Sequence, residues 1–167
     1  MLKTIFSIIA ALAWGLWLGG IFAVFVFVTS LFATSRELAV QAAPVIFVTF
    51  ERYQLVIGGV LLAALLGWRL AGGSKLVNVM FILAVIAAAG AIASPLGITN
   101  RMERLRHEGL AGSPEFRRLH VASMWVYSAE TGALIATGIL MPLAMLRPKA
   151  PELRIDPSES AGRGPSA

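Results

Sequence analysis

The sequence predicts an all-α integral membrane protein, a four-helix transmembrane bundle, and three observations predict it. The first is composition: 57% of the 167 residues are hydrophobic and 14% are charged, against about 45–50% and about 25% in soluble domains. A chain with a mean hydropathy of +0.79 has too little polar surface to cover itself in water. The second is that the apolar residues fall in four runs, each long enough for the roughly 20 residues that cross a hydrocarbon core about 30 Å thick. The third is that most of the charge flanks those runs, as headgroup anchors and topology signals do.

Span one is expected at about 5–33, inside the uncharged stretch between Lys3 and Arg36. A cleaved signal peptide would need an h-region of about 7–15 residues. Ala11-Leu12-Ala13 imitates a cleavage site, but the apolar run passes it and reaches Ala33, so a retained helix is expected. Span two is expected at about 44–70, because Pro44 suits a first helical turn, and it carries Glu51 and Arg52 in its first third. Span three is expected at about 76–98, with Pro95 near its end. Span four is expected at about 117–146. Its helix starts with Ser113 as N-cap, Pro114 in the first position and Glu115 next, and Pro148 stops it.

The connections carry information as well. Ala71-Gly72-Gly73-Ser74 is a short turn, which makes spans two and three an antiparallel hairpin. The longer loop from Thr99 to Gly112 reads in part as a surface helix. Met102 and Leu105 would share one face of it, with Glu103–His107 and Arg104–Glu108 as i,i+4 pairs. Residues 1–147 are thus one transmembrane domain. Residues 148–167, rich in Pro, Ser, Gly and charge and without an aromatic, are expected to be a disordered polar tail. Each end of the bundle holds seven of the 14 basic residues, so the positive-inside rule ties; the amino terminus tilts the reading towards both termini being cytoplasmic.

Small residues recur at helix-packing spacing: Gly15 and Gly19; Gly59, Ala63 and Gly67; Gly90 and Ser94; Gly132 and Ala136. In lipid such spacing lets backbones approach, within the bundle or between copies in a homo-oligomer. The net charge of +5 does not indicate nucleic acid, because the basic residues do not cluster with exposed aromatics. The partners expected are the bilayer, including anionic lipids. Arg101, Arg104, Arg106, Arg117 and Arg118 are the candidate headgroup contacts, because each basic residue beside an anionic leaflet gains about 1 kcal/mol. With no cysteine, disulfides, iron–sulfur clusters and thiolate metal sites are excluded. No GxGxxG, P-loop, HExxH or GxSxG occurs, and neither a cofactor nor an enzyme activity is expected.

The candidate polar site rests on charge inside the spans, which costs roughly 2.5–3.5 kcal/mol at a helix centre on insertion scales. Glu130 lies eleven residues past Leu119, about 16 Å deep. His120, Ser123, Tyr127 and Glu130 follow i, i+3, i+7, i+10, and Thr137 extends the line. Spans two and four enter from the same side, which brings Arg52 to the level of Tyr127–Glu130 and predicts an Arg52–Glu130 pair, with Glu51, Tyr53 and His120 around it. Three roles are open to this face: a packing pair, a pathway for a cation or small solute, and a redox or catalytic site. His120 and Met124 at i,i+4 would supply two metal or haem ligands but no third. Trp14 and Trp17 lie too deep for an interfacial belt and read as core packing or as the lining of a cavity.

One resemblance is carried by particular residues. Trp14-Gly15-Leu16-Trp17-Leu18-Gly19-Gly20, with Phe22, Phe25 and Leu31-Phe32-Ala33, is similar to the opening of the domain-of-unknown-function family 4149, the transmembrane-protein-205-like group of small four-helix membrane proteins. Ser94-Pro95-Leu96, Ile98, Arg101-Met102-Glu103 and Leu105-Arg106 resemble its span-three exit. Phe116-Arg117-Arg118-Leu119-His120-Val121-Ala122-Ser123 resembles its F-x-x-L-H-x-x-S signature. The resemblance covers roughly residues 10–140, and departs from the family where Tyr127, Ser128 and Glu130 stand in place of an expected Asn. It implies four spans and no established enzyme activity. The function expected is that of a small, non-enzymatic protein of a bacterial-type inner membrane, with transport past Glu130 and a His/Met metal or haem site as the alternatives.

Overall fold

The structure, a computed structural model, describes residues 1–146; Pro148 and the polar tail lie outside the described residues. Its elements are α1 (Leu2–Thr34), α2 (Arg36–Leu70), α3 (Lys75–Ala93), a π-helical segment (Ser94–Thr99), α4 (Asn100–His107) and α5 (Pro114–Leu146). There is no strand among the described residues. Four helical stretches are long and apolar enough to span a membrane, the third being Lys75–His107, which runs through the π segment into α4. The protein is a multi-pass integral membrane protein.

The helices form a square: α1 packs on α2, α2 on α3, α3 on α5, and α5 on α1. Consecutive long helices alternate in direction, so Met1 and Leu146 lie at one end of the bundle and the α4–α5 corner at the other. The core of Leu61, Leu65, Trp68, Val77, Met80, Ala84, Leu134 and Met141 fills the half nearer Met1. Gly72 (φ +86°) and Gly109 (φ +73°) make the two turns at opposite ends, adopting a backbone that side chains disfavour. With no native cysteine in the way, single cysteines placed at Ala71 and at Ala111, beside these turns, should label from opposite sides of sealed vesicles. Labelling of both from one side would overturn the topology.

Helix starts follow the caps. The Ser113 hydroxyl accepts from the Phe116 N–H at 3.1 Å, so α5 begins at Pro114 as expected. Pro44 is not in the first turn of its helix, which is a correction. α2 begins at Arg36, because Ser35 breaks the chain with an extended backbone (φ −156°, ψ 114°) and its hydroxyl accepts from Leu38 N–H. Glu37 in that first turn suits the helix dipole, and Pro44 is carried inside the helix. In α4, Met102 and Leu105 are buried together as expected. The i,i+4 pairs are not formed; Arg106 pairs with Glu103 at i,i+3, and Arg101 reaches across to Glu115 on α5.

The small residues that pack are mostly not those of the spaced motifs. Gly15, Gly19, Gly59 and Gly132 face open space, whereas Gly58 lies against the Trp17 ring, Gly138 against Trp14, and Gly20 against Phe50 and Tyr53. Of the motif glycines, Gly67 meets Phe6 and Gly90 meets Val126. Gly20, Gly58, Gly67 and Gly138 therefore receive aromatic rings instead of neighbouring backbones, a rule that spacing alone does not express.

Candidate functional site

The polar residues converge on the axis of the square, and every side of it contributes. Glu51 and Gln54 lie three apart on α2, and Tyr127 and Glu130 three apart on α5, a spacing that puts each pair on one helix face. Counted from Arg36 and Pro114, both carboxylates lie about 22–24 Å along their helices at about 1.5 Å per residue, so they are level. Glu51 is 4% exposed, Glu130 2% and Gln54 0%. From α1, the Trp17 Nε1–H donates to Glu130 Oε1 at 2.9 Å. From the π segment, Ser94 and Thr99 both donate to Glu51 Oε1, at 3.0 and 2.5 Å.

The π segment is what makes that last pair. Pro95 has no N–H to give to the preceding turn, and the register slips to i→i+5, seen in the Asn100 N–H bonding the Pro95 carbonyl. In an α-helix, residues five apart point about 140° away from each other. In a π turn they stack, and Ser94 Oγ and Thr99 Oγ1 stand 3.5 Å apart over one carboxylate oxygen. Such insertions are frequent at functional sites.

Several buried atoms of this cluster have no hydrogen-bond partner: Glu130 Oε2, both amide atoms of Gln54, and the Tyr127 hydroxyl. No cation neutralises either acid, since the ion pairs among the described residues are Arg101–Glu115 and Arg106–Glu103.

The expected Arg52–Glu130 pair is not formed. One residue is about 100° of helical rotation, so burying Glu51 turns Arg52 outward, and Arg52 is exposed. His120 and Ser123 are not members of the cluster either. Ten residues bring His120 about 80° away from the Glu130 direction; its side chain is exposed, and Ser123 Oγ donates to its carbonyl at 2.8 Å. Met124 is exposed too, and no group of three or more His, Asp or Glu among the described residues could hold a metal ion. Of the expected six, Glu51, Tyr127 and Glu130 come together. Arg52→Ala should therefore leave stability within about 0.5 kcal/mol, as surface changes do, in thermal unfolding in detergent. A loss comparable to that of a buried pair, about 3–5 kcal/mol, would contradict its outward placing.

Sequence reasoning did not single out Gln54, Thr99, or Trp17 as a partner of Glu130. Signals for two of them were present: Gln54 follows Glu51 by one helical turn, and a deep tryptophan N–H needs an acceptor. Trp14 obeys the same rule, donating to the Leu134 carbonyl at 2.6 Å.

A second polar surface lies at the α4–α5 corner. Arg106 pairs with Glu103 and lies 5.4 Å over the Phe116 ring. Arg104, Arg117 and Arg118 are exposed and in no ion pair among the described residues. Arg101 and Arg118, with Ser113, Pro114, Glu115 and Leu119, line an open cleft of about 610 Å³.

Comparison with known proteins finds no matching family model, no similar curated protein and no similar solved structure.

Proposed function

We propose that this protein is a small transport protein of a bacterial inner (plasma) membrane, and not an enzyme, which passes a cation by the paired carboxylates Glu51 and Glu130. The observation that carries the reading is the charge balance of the buried site. Two acids are almost wholly withdrawn from solvent, with no cationic side chain among the described residues paired with either. An isolated buried carboxylate is too costly to persist, so each must take up a proton or another cation. A packing role is less well supported, because two buried acids without a basic partner cost the bundle stability instead of adding to it.

The test is flux into proteoliposomes under an imposed gradient. Glu51→Gln and Glu130→Gln, each nearly isosteric, should abolish flux without changing the amount reconstituted or its melting temperature. Flux unchanged in Glu130→Gln, or no cation flux in the wild type, would eliminate the transport reading.

The α4–α5 corner supports a second, independent proposal, that anionic lipid headgroups bind there. Arg117 ends the first turn of α5, where the helix dipole disfavours a cation by about 0.3–1 kcal/mol, and Arg118 follows it; an anionic leaflet returns about 1 kcal/mol for each. Arg117→Gln with Arg118→Gln should weaken anionic-lipid retention in native mass spectrometry and reduce lipid-dependent thermal stabilisation. Indifference of both measurements would leave the arginines as orientation signals alone. Gly15 and Gly19, open on the outer face of α1, support the proposal that copies of the chain meet there. The Leu119-His120-x-x-Ser123 element supports kinship with the transmembrane-protein-205-like group.

A further inference from the structure

We propose that the small-residue stripe of Gly90 and Ser94 on α3 is the passage between the two acids, and that Gly90 keeps it open to a small monovalent cation. This rests on the transport reading above and adds to it the route, and the size and charge of the ion.

Glu130 aims its free oxygen at that stripe. Its Oε1 accepts from the Trp17 N–H at 2.9 Å, whereas Oε2 is buried without a partner. A Cβ built on Gly90 would stand 4.0 Å from that Oε2 and 3.3 Å from Val126 Cγ1. Among the described residues, those two α5 atoms are all that the other helices bring within 4 Å of the point. Gly90 therefore leaves a niche the size of a methyl group, walled by an unbonded carboxylate oxygen on one side and by Val126 on the other. A water molecule, whose share of the liquid is about 30 Å³, or a small bare cation is a guest of that size. The 3.3 Å contact asks Val126 to yield by only a few tenths of an ångström to admit it.

The stripe leads from one acid to the other. The Ser94 N–H bonds the Gly90 carbonyl, so the two residues stand one α-helical turn apart on one face, about 5–6 Å from each other. Ser94 Oγ donates to Glu51 Oε1 at 3.0 Å. Glu130 thus faces α3 at Gly90, and Glu51 meets it at Ser94, a single turn further along. Ala91, buried beside them, adds no more than a methyl. A guest leaving Glu130 Oε2 towards Glu51 passes the Ser94 hydroxyl, which can turn its lone pairs to a cation. Spacing alone would make this stripe a packing face for α5. The unbonded carboxylate oxygen over Gly90 is what makes it a route. Charge sets the class of ion, because only Glu130 opens on the niche. A monovalent cation there leaves the pair neutral, whereas a divalent one would keep a net charge in an apolar interior, at high cost.

The test uses the full chain in proteoliposomes under an imposed gradient, loaded in parallel with a pH-sensitive and a sodium-sensitive dye. The dye that responds in the wild type names the ion, a proton carried on water or a bare sodium ion. Gly90→Ala puts a methyl in the niche. Flux should fall about tenfold or more, because each guest must then force an overpacked site, with the reconstituted amount and melting temperature unchanged. Gly132→Ala, at a glycine that faces open space, should leave flux as it is. Should Gly90→Ala fail to fold, Val126→Ala supplies the second measurement. It widens the niche from the opposite wall and should raise flux, and an equal or lower rate contradicts the passage. Retained flux in Gly90→Ala, with flux lost in Glu130→Gln, would overturn the passage and leave transport standing. A loss of flux that merely follows a lowered melting temperature would make the stripe a packing face and overturn it too. Calcium flux without proton or sodium flux would overturn the monovalent assignment. No flux of any of these ions would remove both this inference and the reading beneath it.

Discussion

Trp17→Ala should cost the bundle about 3–5 kcal/mol, the range for removing a buried tryptophan, whereas Trp17→Phe should cost about 1–3 kcal/mol, the penalty for leaving a buried acceptor unsatisfied. The two changes separate two jobs of one side chain. The Trp17 ring lies on Gly58 and belongs to the buried core, while its Nε1–H bonds Glu130 Oε1. Phenylalanine keeps most of the packing and leaves Glu130 with no hydrogen-bond donor at all. Alanine loses both and opens a cavity between α1 and α2. Unfolding in mixed detergent micelles measures the difference. In a Glu130→Leu background the penalty of Trp17→Phe should shrink, because there is no carboxylate left to strand. If phenylalanine is as damaging as alanine, or if the penalty is the same in both backgrounds, the N–H contributes nothing and Glu130 is held by packing alone.

The four spans were legible because the property that makes a membrane helix, some 20 apolar residues in a row, is a property of the sequence itself. The α5 start was legible for a similar reason, since Ser113 and Pro114 act on their own neighbours. Pro44 misled because a proline tolerated at a helix start is also tolerated inside a membrane helix when its surroundings allow it, and Ser35 supplied the stronger cap. The candidate site was half legible. Depth identified Glu130, and the shared entry side identified the facing stretch of α2, but a charge-balance argument chose Arg52 as the partner. Which of two adjacent residues faces inward depends on the rotation of α2 against three other helices, and that is fixed by remote contacts such as Gly58 on Trp17. The stacking of Ser94 with Thr99 was beyond reach, because the α-helical period separates them and only the π register brings them together.

Gly138→Leu should destabilise the protein by about 2–4 kcal/mol. That adds an overpacking cost of about 1–3 kcal/mol to the loss of a hydrogen bond worth about 0.5–1.5 kcal/mol. The Trp14 ring lies directly over Gly138, where even a Cβ would overlap it, and its N–H is tied to the Leu134 carbonyl one turn earlier. The ring cannot slide away and keep that bond. In lipid the loss is felt in full, because close van der Waals contact and interhelical hydrogen bonds carry helix association there without a hydrophobic drive. Gly132 is the control on the same helix. It belongs to a small-xxx-small motif, yet faces open space, so Gly132→Leu should be neutral or stabilise by up to about 1 kcal/mol through helix propensity. Thermal unfolding of both variants in detergent, at protein concentrations low enough to exclude association, ranks them. If Gly132→Leu proves the more damaging, α5 packs through its motif face, and the seating of Trp14 on Gly138 is wrong.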